Sequence, residues 1–128
     1  MSKLIKYQKS EYKFLEYCIK IINQNIFGIK DLENIYKEFK KFVNNNNLDE
    51  LALLRKGELM LGEYCEVNTN NLQDVYDLLL KLINNLEEIE TPVLVVTIGA
   101  LAKIALAKQN NEELNFNDIK KENDNNDL

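Results

Sequence analysis

The chain has 128 residues, 45% of them hydrophobic and 29% charged, and a net charge of −5, long enough to bury a core without disulfide or metal staples. It contains no histidine, so the usual imidazole base, proton shuttle and metal ligand are missing. The acidic balance and a lone arginine, Arg55, argue against direct nucleic-acid binding, which draws its affinity from clustered Lys and Arg neutralising phosphates.

Lys outnumbers acid from Met1 to Val43, whereas acids dominate from Asn44 onward, so an electrically lopsided molecule is expected. Cys18 and Cys65 are far apart, in no metal-ligand spacing, and read as small core hydrophobes in a reducing compartment. The opening residues lack the apolar core of a secretion signal. A cytoplasmic location is the expectation.

A first helix is predicted from about Ser10, or a turn or two earlier, to Asn25. Tyr12, Leu15, Ile19, Ile22 and Ile26 recur at helical spacing, and Phe14, Cys18 and Ile21 widen the face. Lys6, Lys9, Lys13 and Lys20 share a stripe interrupted by Glu16. It is either a basic contact surface or a solvated face whose Lys stems cover apolar neighbours. Phe27-Gly28-Ile29 breaks the pattern, with Gly28 suited to a helix-ending position of positive φ.

Asp31 opens a second, strongly amphipathic helix. Leu32, Ile35, Tyr36, Phe39, Phe42 and Val43 face inward, and Lys37, Glu38, Lys40 and Lys41 face outward. The run from Asn44 to Asn47 reads as a loop. A third helix is expected from Leu48 to about Glu66, with Leu51, Leu54, Leu61 and Cys65 on one line and Leu53, Met60 and Tyr64 on the next. Gly57 and Gly62 interrupt it; each costs roughly 1 kcal/mol relative to alanine, so close helix packing or a kink is required there. After a turn over Val67 to Asn71, capped by Asn70 or Asn71, a fourth helix carries Leu72, Val75, Tyr76, Leu79, Leu82, Ile83 and Leu86 inward and ends between Asn85 and Glu90.

The run from Thr91 to Ala107 is apolar almost all the way round. Thr91 suits an N-cap and Pro92, the one proline, suits the first helical position. Gly99, Ala100, Ala102, Ala105 and Ala107 admit close neighbours, while Leu94, Val95, Ile98, Leu101, Ile104 and Leu106 offer area to bury. A bilayer span needs about 20 apolar residues; this run is shorter and carries Lys103 near its middle. It is read as a buried core helix. Its small-residue face is also the natural place for a subunit contact. Residues 1–110 are therefore predicted to form one helical domain, all-α, a five-helix bundle around a buried apolar fifth helix. Residues 111–128 form a polar tail in which Leu114, Phe116 and Ile119 are apolar exceptions, suited to docking on the bundle, on a second copy or on a partner.

No phosphate-cradling glycine loop occurs, and neither cysteine has an activating partner in sequence. One constellation could hold Mg²⁺: Glu63 and Glu66 close the third helix while Asp74 and Asp77 open the fourth, so a helical hairpin would bring two i, i+3 carboxylate pairs together. The Glu-Glu-x-x-Glu and Glu-x-x-Asp pattern of helical nucleotide pyrophosphatases of the MazG type is not met. Asp74 and Asp77 also lie opposite the apolar stripe, facing water. No catalytic residue, metal ligand or cofactor is assigned. The favoured reading is a non-catalytic protein-binding factor, of the inhibitor, immunity or antitoxin-like kind that phage or mobile elements encode. It would meet a basic partner through Glu58, Glu63, Glu66, Asp74, Asp77, Glu87, Glu88 and Glu90. The alternatives are a structural or homo-oligomeric subunit and a Mg²⁺-dependent nucleotide hydrolase.

Overall fold

The computed structural model describes residues 3–24, 26–62, 69, 71–85 and 88–110, with side chains from residue 8 onward. Among them are five helices and no strand: α1 (Lys3–Ile22), α2 (Ile29–Asn45), α3 (Glu50–Leu61), α4 (Leu72–Asn84) and α5 (Thr91–Gln109). α5 packs against all four others, α1 also touches α2 and α4, and α3 leans chiefly on α5. The protein is an all-α bundle organised around its fifth helix. Leu94, Val95, Ile98, Ala100, Leu101 and Ala105 of that helix are all 0% exposed, as the all-round apolar sequence requires.

Two polar residues in α5 are accommodated locally. The buried Thr97 hydroxyl donates to the Val93 carbonyl at 2.6 Å, a bond to the preceding turn that satisfies it without an outside partner. Half-buried Lys103 places its ammonium 5.0 Å from the centre of the Tyr36 ring, a cation–π contact. At 19 residues and mean hydropathy 1.6, α5 is long and apolar enough to cross a bilayer by length and composition, and 61% of that stretch is buried inside the bundle. Its start differs from expectation by one residue. Thr91 is already helical, Glu90 occupies the cap position without a side-chain cap bond, and Pro92 lies inside the first turn, where its missing N–H still costs nothing.

Glycines set two of the helix contacts. A Cβ on Gly57 would overlap the Val96 carbonyl oxygen and come within 2.7 Å of Ala100 Cβ, so glycine is what lets α3 approach the α5 backbone. On α5, Gly99 leaves room for the Phe39 ring, which a Cβ would meet at 2.5 Å. Phe39 is 0% exposed and lies edge-on to Phe14, ring centres 6.0 Å apart, joining α1, α2 and α5 at one point. Gly62 has another role: nothing lies within 4 Å of its Cβ position, and it caps α3 at a point earlier than the expected end near Glu66.

Gly28 is a correction. Its φ is −138°, extended rather than left-handed, and it starts α2 instead of ending α1. The Gly28 N–H donates to Asp31 Oδ2 at 2.7 Å, half of the reciprocal bonding that marks a helix N-terminus. Among the described residues the left-handed one is Asn47, φ 55°. There Leu48 N–H donates to the Val43 carbonyl and Asn47 N–H to that of Asn44, at 3.0 and 3.3 Å, the paired bonds of a Schellman end. The asparagine run thus supplies both the last turn of α2 and its termination.

The buried face of α1 is also rotated from the expected one. Glu11, Phe14, Leu15, Cys18, Ile21 and Ile22 are buried, whereas Tyr12 is 57% and Ile26 81% exposed. The arc centres on Phe14 and Cys18, and Ile26 lies beyond the helix end, where 3.6-residue spacing no longer applies. In α4, the Asn71 side chain accepts from the N–H groups of Gln73 and Asp74, a side-chain N-cap. Val75, Leu78, Leu79, Leu82 and Ile83 face inward. Half-buried Tyr76 donates its hydroxyl to the Ile22 carbonyl at 2.9 Å, satisfying a carbonyl at the end of α1.

Candidate protein-binding surface

Five of the eight acids expected to meet a partner lie within the described residues. Glu58 on α3, Asp77 on α4, Glu88 in the α4–α5 connection and Glu90 at the cap of α5 are exposed, and Asp74 is half-buried. Glu63, Glu66, Glu87, Leu114, Phe116 and Ile119 lie outside the described residues.

Helix geometry positions the five. Asp74 falls in the first turn of α4, where a carboxylate complements the positive end of the helix dipole. One turn on, Asp77 Oδ1 accepts from Gln73 Nε2 at 2.9 Å. Glu88 and Glu90 lie past the far end of the same 13-residue helix, roughly 20 Å away at 1.5 Å per residue. Glu58 stands on α3, which packs on α5 and has no comparable contact with α4. α3 and α4 each lean on α5, and Gly57 lets α3 approach the α5 backbone closely. The described acids are spread over separate elements, an arrangement that gives a broad negative field.

A second surface has the opposite composition. Between α1 and α2 runs a shallow groove of about 580 Å³ lined by Lys13, Glu16, Tyr17, Lys20, Glu38 and Lys41. It continues into a smaller hollow of about 110 Å³ that adds Ser10, Phe14, Phe42 and Asn45, well below the few hundred Å³ typical of small-molecule sites. Lys41 Nζ pairs with Glu38 Oε1 at 3.1 Å. The Tyr17 phenol is held above its ordinary pKa by burial first and then by Glu38 and Asp31. Lys9, Lys13 and Lys20 of the expected basic stripe are exposed, and tertiary structure adds Lys41 from the next helix. The Lys6 side chain lies outside the described ones.

Two buried groups, Cys18 and Glu11, and the half-buried Tyr36 bear on chemistry. Cys18 is 0% exposed and burial pushes its thiol pKa up, which disfavours the nucleophilic thiolate. Burial likewise raises the Tyr36 phenol, with Glu50 adding to the effect through its charge and a hydrogen bond. Glu11, 3% exposed, has an Oε2 atom with no hydrogen-bond partner, and desolvation raises its pKa. The sequence did carry a signal for Glu11: it sits at i−3, i−4 and i−7 to Phe14, Leu15 and Cys18, on the apolar face itself.

Comparison with known protein families, with curated proteins and with solved structures finds no match for this chain.

Proposed function

We propose that the chain is a non-catalytic protein-binding factor that presents negative charge to a basic partner, of the inhibitor, immunity or antitoxin-like kind. The carrying observation is the distribution of charge on the fold. From residue 44 onward the chain has 16 Asp and Glu against 7 Lys and Arg. Among the described acids of that region, Glu58, Asp77, Glu88 and Glu90 are exposed on helices or at their ends. Charges fixed on a packed scaffold steer and orient an oppositely charged partner better than charges on a coil, because little side-chain and backbone ordering is left to be done on contact. The small residues of α5 are consumed by packing within the chain, Ala100 and Ala105 at 0% exposure. A homo-oligomeric contact would have to use another surface.

The test compares proteins captured from source-cell lysate by the wild-type chain and by Glu58→Gln/Asp77→Asn/Glu88→Gln/Glu90→Gln. All four positions are exposed, so the variant keeps its fold, which circular dichroism verifies. A basic protein retained by wild type, released by raised salt and lost from the variant supports the proposal. Equal retention by both, or retention indifferent to salt, refutes it.

A further inference from the structure

The end of the bundle at which α1 passes to α2 carries an uncovered apolar spot flanked by two lysines, with Asp31 and Glu33 in the opening turns of α2 and α4 held beside it by the Tyr76–Ile22 hydrogen bond. Ile26 is 81% and Ile29 38% exposed, and Lys20 and Lys30, each in the turn of helix next to them, are exposed too. The same end is where the chain leaves α5. Phe39 faces Gly99 and the Tyr36 ring lies under Lys103, so α2 and α5 run antiparallel. From Tyr36 back to the start of α2, and from Lys103 on to the end of α5, the distances are both about 10 Å at 1.5 Å per residue. Asn110 therefore emerges beside the connection that holds Ile26.

The chain beyond Asn110 has the complementary chemistry. Residues 111–128 carry Glu112, Glu113, Asp118, Glu122, Asp124 and Asp127 against Lys120 and Lys121, and set Leu114, Phe116 and Ile119 among polar neighbours. Leu114 is four residues beyond Asn110, a reach of up to about 14 Å, and Ile119 is nine beyond, up to about 30 Å. Packed helix axes lie about 8–10 Å apart, so both reaches exceed the separation of α5 from its neighbour α2. A freestanding segment of this composition could not bury enough apolar area to order itself; two or three apolar side chains set on a ready apolar spot, with opposite charges around it, change that balance.

We propose that residues 112–119 dock in cis on this end of the bundle, their apolar side chains covering Ile26 and Ile29 and their carboxylates meeting Lys20 and Lys30. This docking uses residues other than the acids named above and does not depend on the function proposed for them.

Zero-length carbodiimide cross-linking of the full chain, mixed in equal parts with its ¹⁵N-labelled form at low concentration, tests the arrangement directly. Links from Glu112, Glu113 or Asp118 to Lys20 or Lys30 within one isotopic species are expected. Links between isotopic species, identifying a second copy as the occupant, overturn it; so do links from those acids only to Lys56 or Lys81, or none to Lys20 or Lys30. Hydrogen exchange supplies an independent reading. Amides of residues 112–119 should exchange at least about tenfold slower than a coil, and should return to coil rates in Ile26→Asp, a change at an 81% exposed position that removes no core packing. Coil-rate exchange already in wild type, or protection unchanged in Ile26→Asp, refutes the proposal.

Discussion

Replacing Gly57 with alanine sets two known effects against each other, and the structure decides between them. In an isolated helix the change is favourable by about 1 kcal/mol, because alanine loses less backbone freedom than glycine. Here the new methyl would overlap the Val96 carbonyl oxygen and sit 2.7 Å from Ala100 Cβ, where carbon atoms rest at about 3.5–4.0 Å. The obstacle is backbone, so no rotamer change relieves it. α5 is gripped by three other helices and α3 chiefly by α5, so α3 must be the element that moves, by about 1 Å. Overpacking of this kind costs about 1–3 kcal/mol, and the upper end applies when backbone is struck. Partial exposure of Leu54, 3% exposed in the native packing, adds to it. Subtracting the propensity gain leaves a net loss of about 2 kcal/mol, or about 8 °C in melting temperature for a chain of this size. Gly62→Ala is the internal control: φ is −57° and no atom lies within 4 Å of the new Cβ, so neutral to about 1 kcal/mol of stabilisation is expected. Thermal and urea denaturation followed by circular dichroism give both values. A Gly57→Ala protein as stable as wild type would refute the idea that this glycine exists for close approach to α5.

Three further positions lend themselves to similar tests. Gly99→Ala should destabilise by about 1–3 kcal/mol because its methyl meets the fully buried Phe39 ring at 2.5 Å, and combining it with Phe39→Leu should cost clearly less than the two single losses added together; additive denaturation midpoints would contradict that coupling. Asn71→Ala removes the side-chain cap from the Gln73 and Asp74 N–H groups and should cost about 1 kcal/mol, with the earliest loss of hydrogen-exchange protection in the first turn of α4. For Glu11, burial raises the carboxyl pKa above its ordinary 4.5. Between the ordinary and the raised value the native state binds more protons than the unfolded one, so its contribution to stability is present below the ordinary value and lost as pH rises through the raised one. Glu11→Gln should remove that decline, giving a protein more stable than wild type near neutral pH and equal to it near pH 4; parallel stability curves for the two proteins would dismiss the buried-carboxylate reading.

Much of this fold is dictated by local sequence alone. The apolar run after Glu90, the inward stripe of the second helix, the asparagine stop and the Asn71 cap each act within a few residues, through hydrogen bonds to nearby backbone or through 3.6-residue periodicity, and each is found within a helical turn of where the residues put it. The tertiary structure alone decided every property set by a neighbour distant in sequence. Gly57 and Gly62 look alike in the chain, yet one is a contact with α5 and the other a free helix end. Tyr12 and Glu11 are adjacent; spacing to Phe14, Leu15 and Cys18 puts Glu11 on the buried arc, and the packing of α1 on α2, α4 and α5 leaves Tyr12, which the apolar pattern also offered to the core, exposed. Lys41 joins Lys13 and Lys20 in one groove while Glu58 and Asp77 stay on separate helices, because helix packing, not spacing along the chain, fixes which surface charges share a field.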